Sequence, residues 1–253
     1  MPRASVEPIR PDWPAPPNVV AFTTTRQGGV SAGPYASLNL AAHVGDDPAA
    51  VEENRRRLGE ALELPSRPCW LEQVHGAGVL EAQGIPEGAP PRAARADASI
   101  TRTPGVVCAV LTADCLPILL CDEAGTAVAA IHAGWRGLAA GVIEAAVSRL
   151  RSKATHWLAW LGPAIGKDAY EVGDEVRDAL VRQSEEAAGA FVRNRAGRWQ
   201  ADLRRLSRLR LEALGVKNVH DCGLCTFSDP ERLFSHRRDG TCGRVATVIW
   251  ILR

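Results

Sequence analysis

A mixed fold of helices and sheet, of the α/β or α+β kind, is what this sequence predicts, and three observations carry the prediction. Two central apolar runs, GVVCAVLTADCLPILLCD and TAVAAIHAGW, are rich in Val and Ile and punctuated by Pro117 and Gly125, as strands buried on both faces are. Segments with apolar residues at helical spacing follow them. The chain has 253 residues, 46% of them hydrophobic, enough to bury one large core or two small ones with no disulfide or metal staple.

In chain order, residues 1–17 carry six prolines (Pro2, Pro8, Pro11, Pro14, Pro16, Pro17), which deny helix and most sheet pairing and predict an extended arm. VVAFTTT from Val19 reads as a strand and RQGGVSAGPY as a glycine-containing loop. AAVEENRRRLGEALEL reads as an amphipathic helix with Asp47 and Pro48 at its start. Residues 84–92, rich in Gly and Pro, read as a surface loop too short for a domain linker. After the central strands, LAAGVIEAAVSRLRSK is expected as a helix with basic residues at its C-terminal end, where the macrodipole favours them. HWLAWLG reads as a strand, EVGDEVRDALVRQSEEAA and ADLRRLSRLRLEALG as helices, and VATVIWIL as a closing strand. No internal repeat and no low-complexity tract interrupts the series.

Charge and cysteine usage exclude several function classes. A net charge of +1 argues against nucleic-acid or anionic-membrane partners, which select for a basic excess, and leaves small molecules as the expected ligands. Lysine occurs only at Lys153, Lys167 and Lys217, and the arginines are spread along the chain, as genome composition would produce. No apolar run reaches the roughly 18 residues of a membrane span, and no leader-like segment opens the chain, so a soluble cytoplasmic protein is expected. Seven cysteines, with Cys108, Cys115 and Cys121 inside apolar runs, suit reduced buried thiols. Cys222 and Cys225 form a CxxC without the partners of a Cys-rich zinc site or a thioredoxin-like context, and read as ordinary thiols near a strand end. Neither GxGxxG nor GxxxxGK[ST] occurs, which speaks against dinucleotide and ATP chemistry. A homodimer is compatible with the sequence.

The chemistry-bearing residues are His75 in LEQVHG, Cys115 in TADCLP and His132 in IHAGWRG. Two imidazoles and a thiolate are borderline-soft donors suited to a divalent transition metal, and three protein ligands leave a tetrahedral zinc one open position for water or substrate. Taken singly, each would more often be a core residue; their value lies in the combination. Asp114, at the turn before Cys115, is a candidate for proton transfer or for orienting a ligand. Arg136, at the start of the helix after His132, is placed to hold an anion. Arg26, Arg237 and Arg238 are further anion candidates, and Asn39 in SLNL is read either as a base or sugar contact or as a turn former.

The run FTTTRQGGVSAGPYASLNLAAHVGDDPAAVEENRRRL, then LEQVHG, ADASITRTPGVVCAVLTADCLPILL, AAIHAGWRG, LGPAIG, YEVG and FSHRRDGTCGR, resembles the YfiH-like family, also called the laccase-domain or multicopper polyphenol oxidase-type family. The resemblance covers nearly the whole chain in family order. It implies an α+β fold with α/β/α-type layers: a single domain with a mixed β-sheet spanning residues 18–253. It also implies a zinc site (copper being the alternative metal) at His75, Cys115 and His132, and purine nucleoside phosphorylase activity on adenosine, inosine and methylthioadenosine with adenosine deaminase activity beside it. Ala164, Asp168 and Ala169 stand where members often carry cysteines, and Cys242 where they usually do not; neither departure touches the three donors.

Two other activities stay open. Copper in the same three donors would permit slow phenol oxidation, although six histidines are too few for the copper array of a blue multicopper laccase. The fold also resembles the Cys-His catalytic domain of cytotoxic necrotizing toxins, a cysteine-hydrolase fold. On that reading Cys115 is a nucleophile with His132 or His75 as base, in an amidase that edits peptidoglycan precursors.

Overall fold

The computed structural model describes residues 6–84, 93–150 and 156–253. Residues 1–5 of the arm, 85–92 of the predicted loop and the end of the predicted helix beyond Leu150 lie outside the described residues.

Both central apolar runs are sheet, but the first is two strands rather than one. Cys108–Thr112 and Leu116–Asp122 belong to different sheets, and the chain crosses from one to the other at residues 113–115. Leu116–Asp122 lies inside a six-stranded mixed sheet in the order Asn218–Asp221, Trp157–Leu161, Leu116–Asp122, Val128–Ala133, Ala98–Thr101, Val79–Glu81. The inner pairings are antiparallel and the two outermost parallel. Pro117 is tolerated because it stands near the start of its strand, one residue before pairing with Trp157–Leu161 begins at Ile118. A second sheet, Val19–Thr23, Val245–Ile251, Cys108–Thr112, is antiparallel throughout.

Strand alternation assigns each face a partner. Ile118 and Leu120, Ala129 and Ile131, and Ala159 and Leu161 point to one face and pack against Leu138, Val142, Ile143, Ala146 and Leu206 of the helices. Leu119 and Cys121, Val128 and Ala130, and Leu158 and Trp160 point to the other, where they meet Cys108, Val110, Ile249 and Ile251 of the three-stranded sheet. The far face of that sheet, with Ala109, Leu111, Val248 and Trp250, lies under Leu38, Leu40 and Leu58. Leu58 comes from the helix Pro48–Ala61, whose N-cap Asp47 accepts the Ala49 N–H. The layering is thus helices, sheet, sheet, helix. This corrects the α/β/α expectation: the second face of the main sheet is covered by another sheet, and strands buried on both faces carry no alternation that would have revealed it.

Two predicted helices are broken, both at glycine. Gly141 takes a left-handed φ of 83° and separates Trp135–Ala140 from Val142–Leu150. The run EVGDEVRDALVRQSEEAA becomes a short strand Glu171–Val172, a helix Asp174–Val181 behind an extended Gly173, and a 3-10 turn over Glu185–Ala190. The helix Leu203–Ala213 forms as expected, N-capped by Asp202, which accepts the Arg205 N–H. No helix of the described residues is long and apolar enough to cross a membrane.

Candidate metal centre and its cavity

Cys115 stands on the crossover between the two sheets, and His132 sits in the neighbouring strand, where Pro117 pairs with His132 and Leu116 with Ala133. The same edge receives His75 from the loop after Leu71–Glu72. One ligand atom of each of the three side chains lies within 4.8 Å of the others, with His75 Nε2 4.0 Å from the Cys115 Sγ and the two imidazoles edge-to-face at 4.7 Å. Metal–nitrogen and metal–sulfur bonds of about 2.0–2.3 Å place tetrahedral ligands about 3.5 Å apart, so a small inward adjustment of each side chain encloses a divalent metal. The donors fit the group that the sequence implied.

A fourth residue, not singled out in the sequence, organises this set. Asp97 is fully buried at the start of Ala98–Thr101 and accepts hydrogen bonds from the backbone N–H of Val74 (3.2 Å), His75 (2.9 Å) and Gly76 (2.7 Å). Three successive N–H groups converging on one carboxylate form an anion nest, and this nest holds His75 at a left-handed φ of 58° that a histidine rarely adopts. The same carboxylate sits 2.9 Å from His132 Nδ1, and the Asp97 carbonyl accepts the His132 N–H at 2.7 Å. With Nδ1 committed to Asp97, Nε2 is the nitrogen left for a metal. Gly134 completes the enclosure by having no side chain: a Cβ there would lie 2.8 Å from the Cys115 Sγ and 3.3 Å from the His75 ring.

The charges are strongly coupled. Burial pushes the Cys115 thiol up, but His132, through charge and hydrogen bond, and then His75 outweigh it and bring the thiol down to about 6. Burial disfavours the His132 cation, yet the Cys115 thiolate and Asp97 raise that group to about 9. Asp97 is held below the ordinary carboxylate range: burial opposes this, and the His132 and Gly76 hydrogen bonds prevail. Burial pushes Cys108 and Cys121 up to about 12, whereas at Cys225 burial is outweighed by hydrogen bonds from Ser228, Gly166 and Phe227, which hold that thiol below its ordinary range. All seven cysteines are free thiols, as expected. Cys115 is the thiol that is both lowered and grouped with two imidazoles.

The three donors open into a cavity of about 440 Å³ lined also by His43, Gln73, Asp114, Trp135, Arg136, Ile165, Tyr170, His236, Arg237 and Arg244. Four of the chain's six histidines meet here. Arg136 reaches the cavity with its guanidinium stacked 4.6 Å over the Trp135 ring, and Arg237 lies 5.3 Å over the Tyr170 ring. Two of the four anion candidates, Arg136 and Arg237, are thus at the site.

Other sequence candidates are structural braces. Arg26 gives its Nε to the Ala36 carbonyl and its Nη1 to the Pro230 carbonyl, and stacks on Phe234 outside the cavity. Arg238 bonds the carbonyls of Thr226, Phe227 and Leu233 and pairs with Asp239. Asn39 is fully buried away from the cavity lining, donating to the Ala41 carbonyl and Asp46 and accepting the Ala41 and Arg244 N–H groups. Asp114 lines the cavity, but its oxygens accept the Thr226 hydroxyl and the Arg237 N–H, each at 2.6 Å. It orients the Cys115 turn rather than either imidazole. His43, His236, Tyr170 and Arg244 are cavity residues that sequence reasoning missed. A solitary histidine or tyrosine in a loop carries no signal of its own, although His236 and Arg244 do stand inside FSHRRDGTCGR.

Cys225 lies near the cavity's rim elements, its sulfur accepting the Gly166 N–H at 3.1 Å, while Cys222 packs beside the second core. They follow the strand Asn218–Asp221, in keeping with the reading of thiols at a strand end.

A family model described as multi-copper polyphenol oxidoreductase laccase matches residues 20–252. A purine nucleoside phosphorylase of Pseudomonas aeruginosa is 57% identical, over 96% of this chain and 98% of its own. The purine nucleoside phosphorylase YfiH of Escherichia coli K12 is 52% identical over the same shares. Among solved structures, a Neisseria meningitidis protein assigned to family DUF152 superposes with a TM-score of 0.91 at 47% identity, covering 97% of this chain and 99% of the other. YlmD from Geobacillus stearothermophilus superposes equally, at 0.91 and 35% identity, over 97% and 96%. With its fold and nearly its whole length matched by these relatives, the chain belongs to the laccase-like YfiH family.

Proposed function

We propose that this chain is a zinc-dependent purine nucleoside phosphorylase acting on adenosine, inosine and methylthioadenosine, with adenosine deaminase activity at the same centre. The observation that carries the reading is one cavity joining His75, Cys115 and His132, which could hold a metal ion, to arginines at its wall that pair with no carboxylate among the described residues. The naming of relatives at 52–57% identity as purine nucleoside phosphorylases supports it.

In phosphorolysis a phosphate oxygen bonds to C1′ as the glycosidic C–N bond breaks, and the electron pair leaves with the base, which takes a proton. Arg136 and Arg237 hold the phosphate dianion. The Trp135 and Tyr170 rings offer apolar surface to the purine and keep water from the reacting carbon. Asp97 holds His132 in one orientation, and Asp114 holds the Cys115 turn. A bound divalent metal would supply Lewis acidity to the leaving base and to a water for deamination, with copper able to occupy the same three donors.

The test is chromatography of products from adenosine, with and without phosphate, using zinc-loaded protein and a His132→Ala control. Phosphate-dependent adenine and ribose 1-phosphate, absent from the control, are expected; inosine reports the deaminase. No product in either buffer refutes the proposal.

A second reading is favoured by one specific observation, the chain Cys115, His132, Asp97 with its lowered thiol and raised imidazole. That is the arrangement of a cysteine nucleophile, its base and an orienting carboxylate, and it suits an amidase acting on a peptidoglycan precursor. A metal-bound thiolate is a poor nucleophile, so chelation separates the readings: it abolishes phosphorolysis and spares an amidase.

A further inference from the structure

The cavity carries more positive charge than one phosphate requires. Arg136, Arg237 and Arg244 all line it, and among the described residues none of the three is paired with a carboxylate. Arg237 gives its Nη1 to the Glu171 carbonyl, and Arg244 gives its Nη1 to the carbonyls of Cys242 and Gly243. The lining carboxylate, Asp114, is already engaged by Thr226 and the Arg237 N–H. Unneutralised guanidinium groups around a partly enclosed space concentrate field lines there and favour anionic ligands.

These cations fall into two groups. Arg136 stands in the first turn of the helix Trp135–Ala140, and Arg237 lies over the Tyr170 ring. Arg244 enters from the loop leading into Val245–Ile251, on the side of the three-stranded sheet, and is tied to the Asn39 loop by its N–H on the Asn39 side chain and by the Leu40 N–H on its carbonyl. That loop delivers His43 to the same wall. Burial and then Arg244 push His43 down.

We propose that the cavity takes two anions at once, phosphate at Arg136 and Arg237 and an anionic group carried by the nucleoside at Arg244 and His43. The cavity then takes, beside the neutral nucleosides named above, a nucleoside bearing a 5′-phosphate or 5′-carboxylate. A 5′ substituent carries an anion without altering the glycosidic bond or the edge of the base. This inference rests on the phosphorylase reading for the identity of the first anion.

Calorimetric titration of the zinc-loaded full-length chain with adenosine, adenosine 5′-monophosphate and adenosine-5′-carboxylate, all in saturating inorganic phosphate, tests it. The two anionic ligands are expected to bind at least about tenfold tighter than adenosine, by a margin that shrinks with added salt. A larger gain for the monophosphate identifies a phosphate subsite, and an equal gain one that reads charge alone; each supports two anions. In Arg244→Gln and His43→Gln, checked for parental circular dichroism and zinc content, the ratio falls toward one. A ratio near one in the parent overturns the proposal, as does displacement of the monophosphate by inorganic phosphate at a single shared site. Phosphate-dependent base release is followed in parallel. Its absence with the ratio intact would refute the phosphorylase reading and leave the second anion site standing, and its presence with a ratio of one would do the reverse.

Discussion

Replacing Asp97 by asparagine removes one acceptor oxygen from a fully buried group that serves four donors, the N–H groups of Val74, His75 and Gly76 and the Nδ1 of His132. One carboxylate oxygen serves His75 and His132, and the other serves Val74 and Gly76. Whichever way the amide is turned, its NH₂ faces two of these donors. Each donor left without an acceptor beside this buried carboxylate costs about 1–3 kcal/mol, so Asp97→Asn should lose about 2–6 kcal/mol. The loss extends to the metal: with its orienting carboxylate gone, His132 is free to place a proton on the nitrogen meant for the ion, and zinc affinity should fall about 10–100-fold. Guanidinium unfolding of the metal-free variant measures the first quantity, and competition with a chromophoric chelator the second. A variant within about 0.5 kcal/mol of the parent with unchanged zinc affinity would show that Asp97 does not hold His75 and His132 in place; the threshold is the usual scatter of surface substitutions.

Three further outcomes follow from the same geometry. In metal-free protein, alkylation of Cys115 followed by mass spectrometry should rise with pH to a half-point near 6, where the thiolate forms, while Cys108 and Cys121 stay unreactive; zinc should protect Cys115. The lowered thiol contributes stability that is lost as pH falls from about 9 through about 6, and the raised His132 contributes stability that is lost as pH rises from about 6.5 through about 9; the two slopes oppose, so this pair should leave metal-free stability nearly level between about 6.5 and 9, and unfolding midpoints across pH 5–10 check it. Gly134→Ala places a Cβ 2.8 Å from the Cys115 Sγ and should weaken zinc binding by at least about tenfold with secondary structure unchanged, read by chelator competition and circular dichroism.

Legibility in the sequence followed the range of the interaction. His75, Cys115 and His132 were readable because each brings a metal-donor side chain within a distinctive local string, whereas their convergence depends on a crossover between two sheets that one apolar run concealed. Asp97 was unreadable because its partners are mainly backbone N–H groups, which every residue has. Arg26, Arg238 and Asn39 show the converse: the donors that suit a side chain to a phosphate or a base also suit it to brace loop carbonyls, and burial, not sequence, decides between them. Helix periodicity carried through Gly141 and Gly173 because apolar spacing survives a break that only the glycine's backbone freedom creates.

The account stands most directly on whether nucleoside cleavage tracks metal at the three donors. Zinc should be withdrawn by a graded series of chelator, with metal per chain and phosphate-dependent release of adenine measured on each sample. Activity should fall in proportion to zinc and return on reloading, and Cys115→Ala should neither hold zinc nor turn over. Undiminished turnover in metal-free protein, abolished instead by alkylating Cys115, would contradict it and establish the thiolate as the nucleophile.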